Sequence, residues 1–314
     1  MTNHPSRRDV LALMSALPLA GLAQPALAQQ TAASAKAAAP EMPTRRIPGT
    51  NESLPVIGFG SSKVVEEGAK NGEDPLRQVL RALVARGGKV VDTWPRNAAN
   101  DARFGRVINE PEFRDTLFVT TKIDQVGKEA GLTQLRESQK NYGRTVIDLA
   151  QIFSLTDLET HWPTLRDWKD KGNARYIGVT VSQDRLHSQM QAFLEREKPD
   201  FIQTNYSISE RRSEERIIPL AAERGIAVVI NRPFMNGALF QRLEKTPLPQ
   251  WAADFGCESW AQFSLKYILS NPLVTCVLTE TSNPKHMDEN ARTAYSRFPT
   301  EAERQRMREY HDTL

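Results

Sequence analysis

At 314 residues with 39% hydrophobic side chains, the chain is long enough to bury one large α/β core or two smaller ones. A formal charge of +3, with Lys and Arg interspersed among Asp and Glu rather than gathered in a block, argues against nucleic acid as the main partner. Two cysteines and five scattered histidines show no metal-ligand spacing, so no metal centre is expected.

The first 28 residues read as a segment apart. Arg7 and Arg8 precede a mostly apolar run over 11–23, and Ala26-Leu27-Ala28 gives a small-x-small cleavage pattern. The paired arginines resemble the twin-arginine export signal, which predicts cleavage after about Ala28 and a periplasmic mature protein. The run is too short for a membrane span, which needs roughly 20 apolar residues. The Ala/Gln/Pro-rich stretch over 29–43 has no apolar period and reads as a disordered linker.

From residue 44 onward, strand and helix signals alternate. Two short extended pieces flank Gly49-Thr50-Asn51, a hairpin signal. Strand candidates then follow at 54–60, 89–93, 117–123, 147–153, 175–180, 201–207, 227–231 and 274–281. Helices are expected at 74–86, where Leu76, Val79, Leu80, Leu83 and Val84 share a face and Gly87-Gly88 stops the run, and at 100–108 with Asn100 as cap. Further helices are expected at 128–141, 161–171, 183–195, 214–224, 260–269 and 284–292, where Pro284 suits a first turn. The tail after Pro299 reads as an amphipathic helix packed on the outside. Cys276 lies within an apolar strand and is expected to be a buried, inert thiol, although a disulfide to Cys257 is conceivable in an oxidising compartment.

Eight alternations predict a closed α/β fold, the (β/α)8 or TIM barrel, over 44–314. A doubly wound open sheet is the competing reading, weakened because no G-x-G-x-x-G follows any strand. In a parallel barrel the carboxyl ends of the strands form the active face. Asp92 and Lys122 end neighbouring strands there, either as catalytic groups that tune a third or as a structural ion pair closing the rim.

Seven pieces in order carry a resemblance to a known family: VIGFG at 56–60, VVDT at 90–93, TTK at 120–122, IDL at 147–149, RYIGVT at 175–180, Gln203 within FIQTNYS, and SNPKHMDEN at 282–290. On these the chain resembles the aldo-keto reductases. The resemblance implies a TIM barrel that binds NADP or NAD without a Rossmann motif and passes hydride to an aldehyde or ketone. It also implies a tyrosine acid tuned by a lysine and an aspartate, and a histidine that orients the carbonyl. The aspartate falls on Asp92 and the lysine on Lys122, but the tyrosine position is Asn97 and the histidine position Phe153. Asparagine gives up no proton near neutral pH, and phenylalanine neither donates nor accepts. Tyr206 and Ser154 are the nearby hydroxyls in sequence, without an assigned role.

By the same resemblance, Thr180 and Gln203 would hold the nicotinamide amide, and Asn231 with Arg232 would form the corner after the seventh strand. Thr281, His286, Glu289 and Asn290 would hold the adenosine end, with His286 where many NADP-dependent members carry arginine. Val181 stands where many members have a polar amide, and Glu280 brings a carboxylate beside the phosphates unless it turns outward or meets Arg232. The leading expectation is an exported family member with carbonyl reduction lost or much weakened, leaving a barrel that binds a small molecule or cofactor. An active NAD(P)H-dependent reductase with a modified site is the alternative, and new chemistry on Asp92 and Lys122 is a third.

Overall fold

The structure is a computed structural model that describes residues 41–94 and 97–314. The export signal expected over 1–28 and most of the linker over 29–43 therefore lie outside the described residues. The linker's end belongs to the fold: Met42 is buried in the core, and the Val56 amide donates to the Pro43 carbonyl at 3.0 Å.

β1 (Thr44–Arg46) and β2 (Ser53–Pro55) form an antiparallel hairpin turned at Gly49, whose φ of 75° suits glycine. Eight parallel strands then close a barrel: β3 (Ile57–Gly60), β4 (Val90–Asp92), β5 (Phe118–Ile123), β6 (Ile147–Ile152), β7 (Ala174–Thr180), β8 (Phe201–Asn205), β9 (Ala227–Asn231) and β10 (Cys276–Glu280). β10 pairs with both β9 and β3, with Val277 opposite Ile57, so the barrel has no open edge and the open-sheet reading is overturned.

Alternation along each strand separates two cores. Inward-facing Val90, Phe118, Leu149, Phe201, Val229 and Leu278 fill the barrel, and Ile47 and Leu54 of the hairpin plug one end of that cluster. Outward-facing residues meet the helices in a larger cluster. Gly178 sits at a tight point of this packing, where a Cβ would lie 2.5 Å from the Phe201 carbonyl oxygen.

The helices cover the barrel: α1 (Ser62–Asn71), α2 (Asp74–Ala85), α3 (Ala98–Ile108), α4 (Lys128–Asn141), α5 (Leu158–Asp170), α6 (His187–Arg196), α7 (Ile217–Glu223), α8 (Ala238–Leu243), α9 (Trp260–Leu269), α10 (Pro284–Arg292) and α11 (Glu301–Asp312). Two corrections stand out. α1 was not legible from apolar period because it buries only Val64, Val65 and Gly68. α3 starts at Ala98, and its cap is Asn97, not Asn100: the Asn97 side chain accepts from the Asn100 amide at 2.8 Å. α11 is the expected outer helix, opened by a capping box between Thr300 and Glu303.

Cys257 and Cys276 are both buried and free, so the conceivable disulfide is not formed. Burial pushes the Cys257 thiol up to about 12 and raises that of Cys276 as well, which suits inert core residues. No helix among the described residues is long and apolar enough to cross a membrane.

Candidate active site

β4 and β5 run side by side with Asp92 opposite Thr120, which places Lys122 one pleat further along the same inward face. The Lys122 ammonium donates to both Asp92 oxygens at 2.6 Å and to the Thr93 carbonyl at 2.8 Å. An ammonium has three protons, so this one is fully engaged. Thr120 Oγ1 also donates to Asp92, and Gln203 Nε2 lies 3.4 Å from its other oxygen. Lys122 is 3% exposed, and burial pulls it below the ordinary lysine value while the Asp92 carboxylate opposes that shift.

The pair lies at the base of a cleft of about 650 Å³ at the barrel mouth. Over it, Trp94 and Phe153 stack with ring centroids 4.1 Å apart and planes 16° from parallel. Trp94 Nε1 is held by Asp124 Oδ2 at 2.7 Å. Phe153 leads into a turn in which Ser154, Leu155 and Asp157 take φ of 51°, 56° and 45°, left-handed values unusual for non-glycine residues. The Gly127 amide donates to Asp157 Oδ2 at 2.7 Å, which ties that turn to the start of α4.

Of the four expected catalytic positions, Asp92, Lys122 and Phe153 meet in the cleft. Asn97 does not line it: this residue faces a separate groove with Asp101 and Gln125, its side chain spent on the α3 cap. Tyr206 is also remote in role, because its hydroxyl donates to Glu214 at 2.9 Å and meets Arg304 beneath α11. Ser154 contributes its backbone amide, which donates to Thr180 Oγ1 at 3.3 Å.

Among the expected cofactor positions, Gln203, Asn231 and Arg232 line the cleft, while Thr180 lies behind it, buried against Ser154. Asn231 Nδ2 donates to the Val181 carbonyl at 2.9 Å, so an amide from β9 reaches the position where Val181 lacks one. Gln203 Oε1, Asn231 Oδ1 and Arg232 Nε are buried without partners. Arg232 otherwise donates to the Ser182 carbonyl at 2.7 Å and approaches Glu210 at 3.5 Å. Glu280 turns to α1, where one carboxylate oxygen accepts from the Lys63 amide at 2.8 Å in the first turn.

Thr281 and His286 line the cleft and also a second, adjoining cavity of about 710 Å³. That cavity carries Glu289 and Asn290, so the expected adenosine residues do gather in one place. Sequence reasoning missed Gln151 on β6, whose amide is buried inside the barrel with neither end bonded, beside a void of about 10 Å³ shared with Asp92 and Gln203. A glutamine between the apolar Ala150 and Ile152 of β6 was the available signal. It also missed Trp94, which only the folded chain brings over Phe153.

Similar proteins place the chain. An aldo-keto reductase of Bacillus halodurans in its holo form is 21% identical, with a TM-score of 0.70 over 86% of this chain and 96% of that one. An aldo-keto reductase of Klebsiella pneumoniae in complex with NADPH is 20% identical, with a TM-score of 0.71 over 84% and 93%. The glycerol dehydrogenase of Gluconobacter oxydans is 19% identical, with a TM-score of 0.66 over 85% and 94%. At these identities the likeness concerns the fold. The sequence profile of the Aldo/keto reductase family matches residues 56–307, and with that span this chain belongs to the aldo/keto reductase family.

Proposed function

We propose that this chain is an exported, periplasmic family member in which NAD(P)H-dependent carbonyl reduction is lost or much weakened, leaving a barrel that holds a nicotinamide dinucleotide or a related small molecule. The observation that carries the reading is the saturation of Lys122. Its three protons go to Asp92 and Thr93, and the surface above it is the Trp94–Phe153 stack. A newly reduced carbonyl oxygen needs a proton from an adjacent acid, a contribution worth roughly 10²–10⁴-fold. Among the described residues that line the cleft there is no tyrosine, and the one histidine, His286, stands on α10 rather than beside the ion pair.

The remaining residues suit a dinucleotide at both ends. Gln203 Oε1 and Asn231 Oδ1 are unpartnered acceptors at the barrel mouth, the chemistry that a carboxamide N–H group requires. Asn290 is 3% exposed and lines the second cavity. Arg232, with Nε unpartnered, lines the cleft as a cation for phosphate. When bound, a reduced nicotinamide supplies hydride to a carbonyl carbon. This chain's residues would then hold and orient the dinucleotide and exclude water beneath Trp94, without handing on a proton. The holo and NADPH-bound forms of the relatives support this assignment.

An active oxidoreductase with a modified site is the second reading, favoured by those same unpartnered amides. The deciding measurement is NADH or NADPH oxidation by the purified chain with a simple aldehyde. Absence of steady turnover, together with quenching of the intrinsic tryptophan emission by the dinucleotide, is expected. Turnover at rates typical of working reductases would overturn the proposal. Export is tested by fractionating cells that express the full chain: a periplasmic product that stays in the cytoplasm when Arg7 and Arg8 are both changed to Lys is expected, and an unshifted cytoplasmic product overturns that part.

A further inference from the structure

Gln151 of β6 stands opposite Lys122 in the parallel register and two residues on from inward-facing Leu149, so its side chain points into the barrel. It is 1% exposed, and neither its Nε2 nor its Oε1 has a hydrogen-bond partner among the described residues. A carboxamide brings two donor protons and an acceptor oxygen, and leaving both ends unmet in an apolar core is costly. Val90, Phe118, Leu149 and Phe201 surround the same space and offer it no bond.

Gln203 of β8 adds a second orphan to the same space. The paired Asp92 carboxylate only accepts, so the end of Gln203 turned toward it at 3.4 Å is the nitrogen, and Oε1 is the atom left without a partner. The two carboxamides do not bond each other, and between them lies the void of about 10 Å³. One buried water needs roughly that much room and two to four polar partners.

The polar residues lining the void are Asp92, Thr120, Gln151 and Gln203. Asp92 is already saturated, since Lys122 and Thr120 donate to one oxygen and Lys122 and Gln203 to the other. Thr120 has spent its hydrogen on Asp92, which leaves the lone pairs of Oγ1 to accept.

We infer that the void is a binding site for one structural water, which joins the Gln151 carboxamide to Gln203 Oε1 and Thr120 Oγ1 beneath the ion pair. Gln203 also lines the cleft, so this water connects the barrel interior to the floor of the candidate site. A carbonyl oxygen carries two lone pairs, and accepting from the water leaves Gln203 Oε1 an acceptor toward the cleft as well. The inference is independent of what the cleft binds.

Two measurements test it. A high-resolution crystal structure of the parent protein is expected to show one density peak within hydrogen-bond reach of both Gln151 and Gln203. A Gln151 carboxamide turned onto protein partners, with no peak in the void, overturns the inference. The second measurement counts slowly exchanging internal waters by magnetic relaxation dispersion of the solvent nuclei. Gln151→Leu and Gln203→Leu are each expected to lose one such water relative to the parent, and the double variant is expected to lose the same single water. No loss in either single variant, or a loss of two in the double variant, overturns the inference; should a variant fail to fold, the parent crystal structure decides.

Discussion

Trp94 and Phe153, which follow different strands, lie ring upon ring at 4.1 Å directly over the cleft that holds Asp92 and Lys122. The space above the ion pair is lined by these two rings. They are an indole whose one polar atom is already spent on Asp124, and a phenyl ring. Among the described residues, this part of the barrel mouth is an aromatic stacking surface.

The ion pair beneath that surface is structural in its energetics. Changing Lys122 to Met leaves the Asp92 carboxylate buried without its cation, and about 3–5 kcal/mol of stability is expected to be lost. Adding Asp92→Asn should recover most of that loss, because the pair is then removed whole. Urea unfolding of the two single variants and the double variant measures the coupling, and additive losses would contradict this account.

Asn97 acts as a helix cap. Asn97→Ala is expected to cost about 1 kcal/mol, or roughly 2–4 °C in Tm for a domain of this size, while Asn97→Asp is nearly neutral. Because the side chain faces the groove beside Asp101 rather than the cleft, Asn97→Tyr combined with Phe153→His is expected to leave carbonyl reduction unrestored. Aldehyde-dependent NADH oxidation by that double variant is the check.

α3 and α4 touch where Gly105 meets the end of α4. A Cβ there would stand 2.0 Å from the Asn141 carbonyl oxygen, which is backbone and cannot swing aside. Gly105→Ala should cost about 1–3 kcal/mol through this forced separation, seen as a lower midpoint in thermal unfolding. An unchanged midpoint would show that the helices part freely.

Lys266 on α9 is fully buried and donates to the Ser296 and Arg297 carbonyls. Burial pulls its ammonium from an ordinary 10.5 down to about 8. Between those two values the unfolded chain holds a proton that the folded chain has released, so stability should rise as pH increases from about 8 to 10.5. The gain from this residue is about 1–3 kcal/mol, and Lys266→Met should lose that pH-dependent component. Urea midpoints of parent and variant across this pH range provide the measurement.

The sequence by itself determined the eightfold alternation, the helix bounds at 128–141, 260–269 and 284–292, and the presence of Asp92 and Lys122 at neighbouring strand ends. Each of these is a local property: apolar period, glycine and proline stops, and a charged residue closing an apolar run. It also gave Asn97 and Phe153 side chains with no proton to give up near neutral pH. Only tertiary structure decided what occupies the vacated space, since the Trp94 stack depends on two strand ends meeting and Asn97 turns to α3 because its nearest unsatisfied amide is there. The α1 helix stayed hidden for a related reason: its buried face is too small to leave an apolar period, and it stands on contacts with its neighbours. The acidic cavity was only partly in reach: Glu280 and Glu289 were expected near the cofactor, whereas Glu244 and Glu258 come from separate segments and join that wall only once the last barrel units pack together.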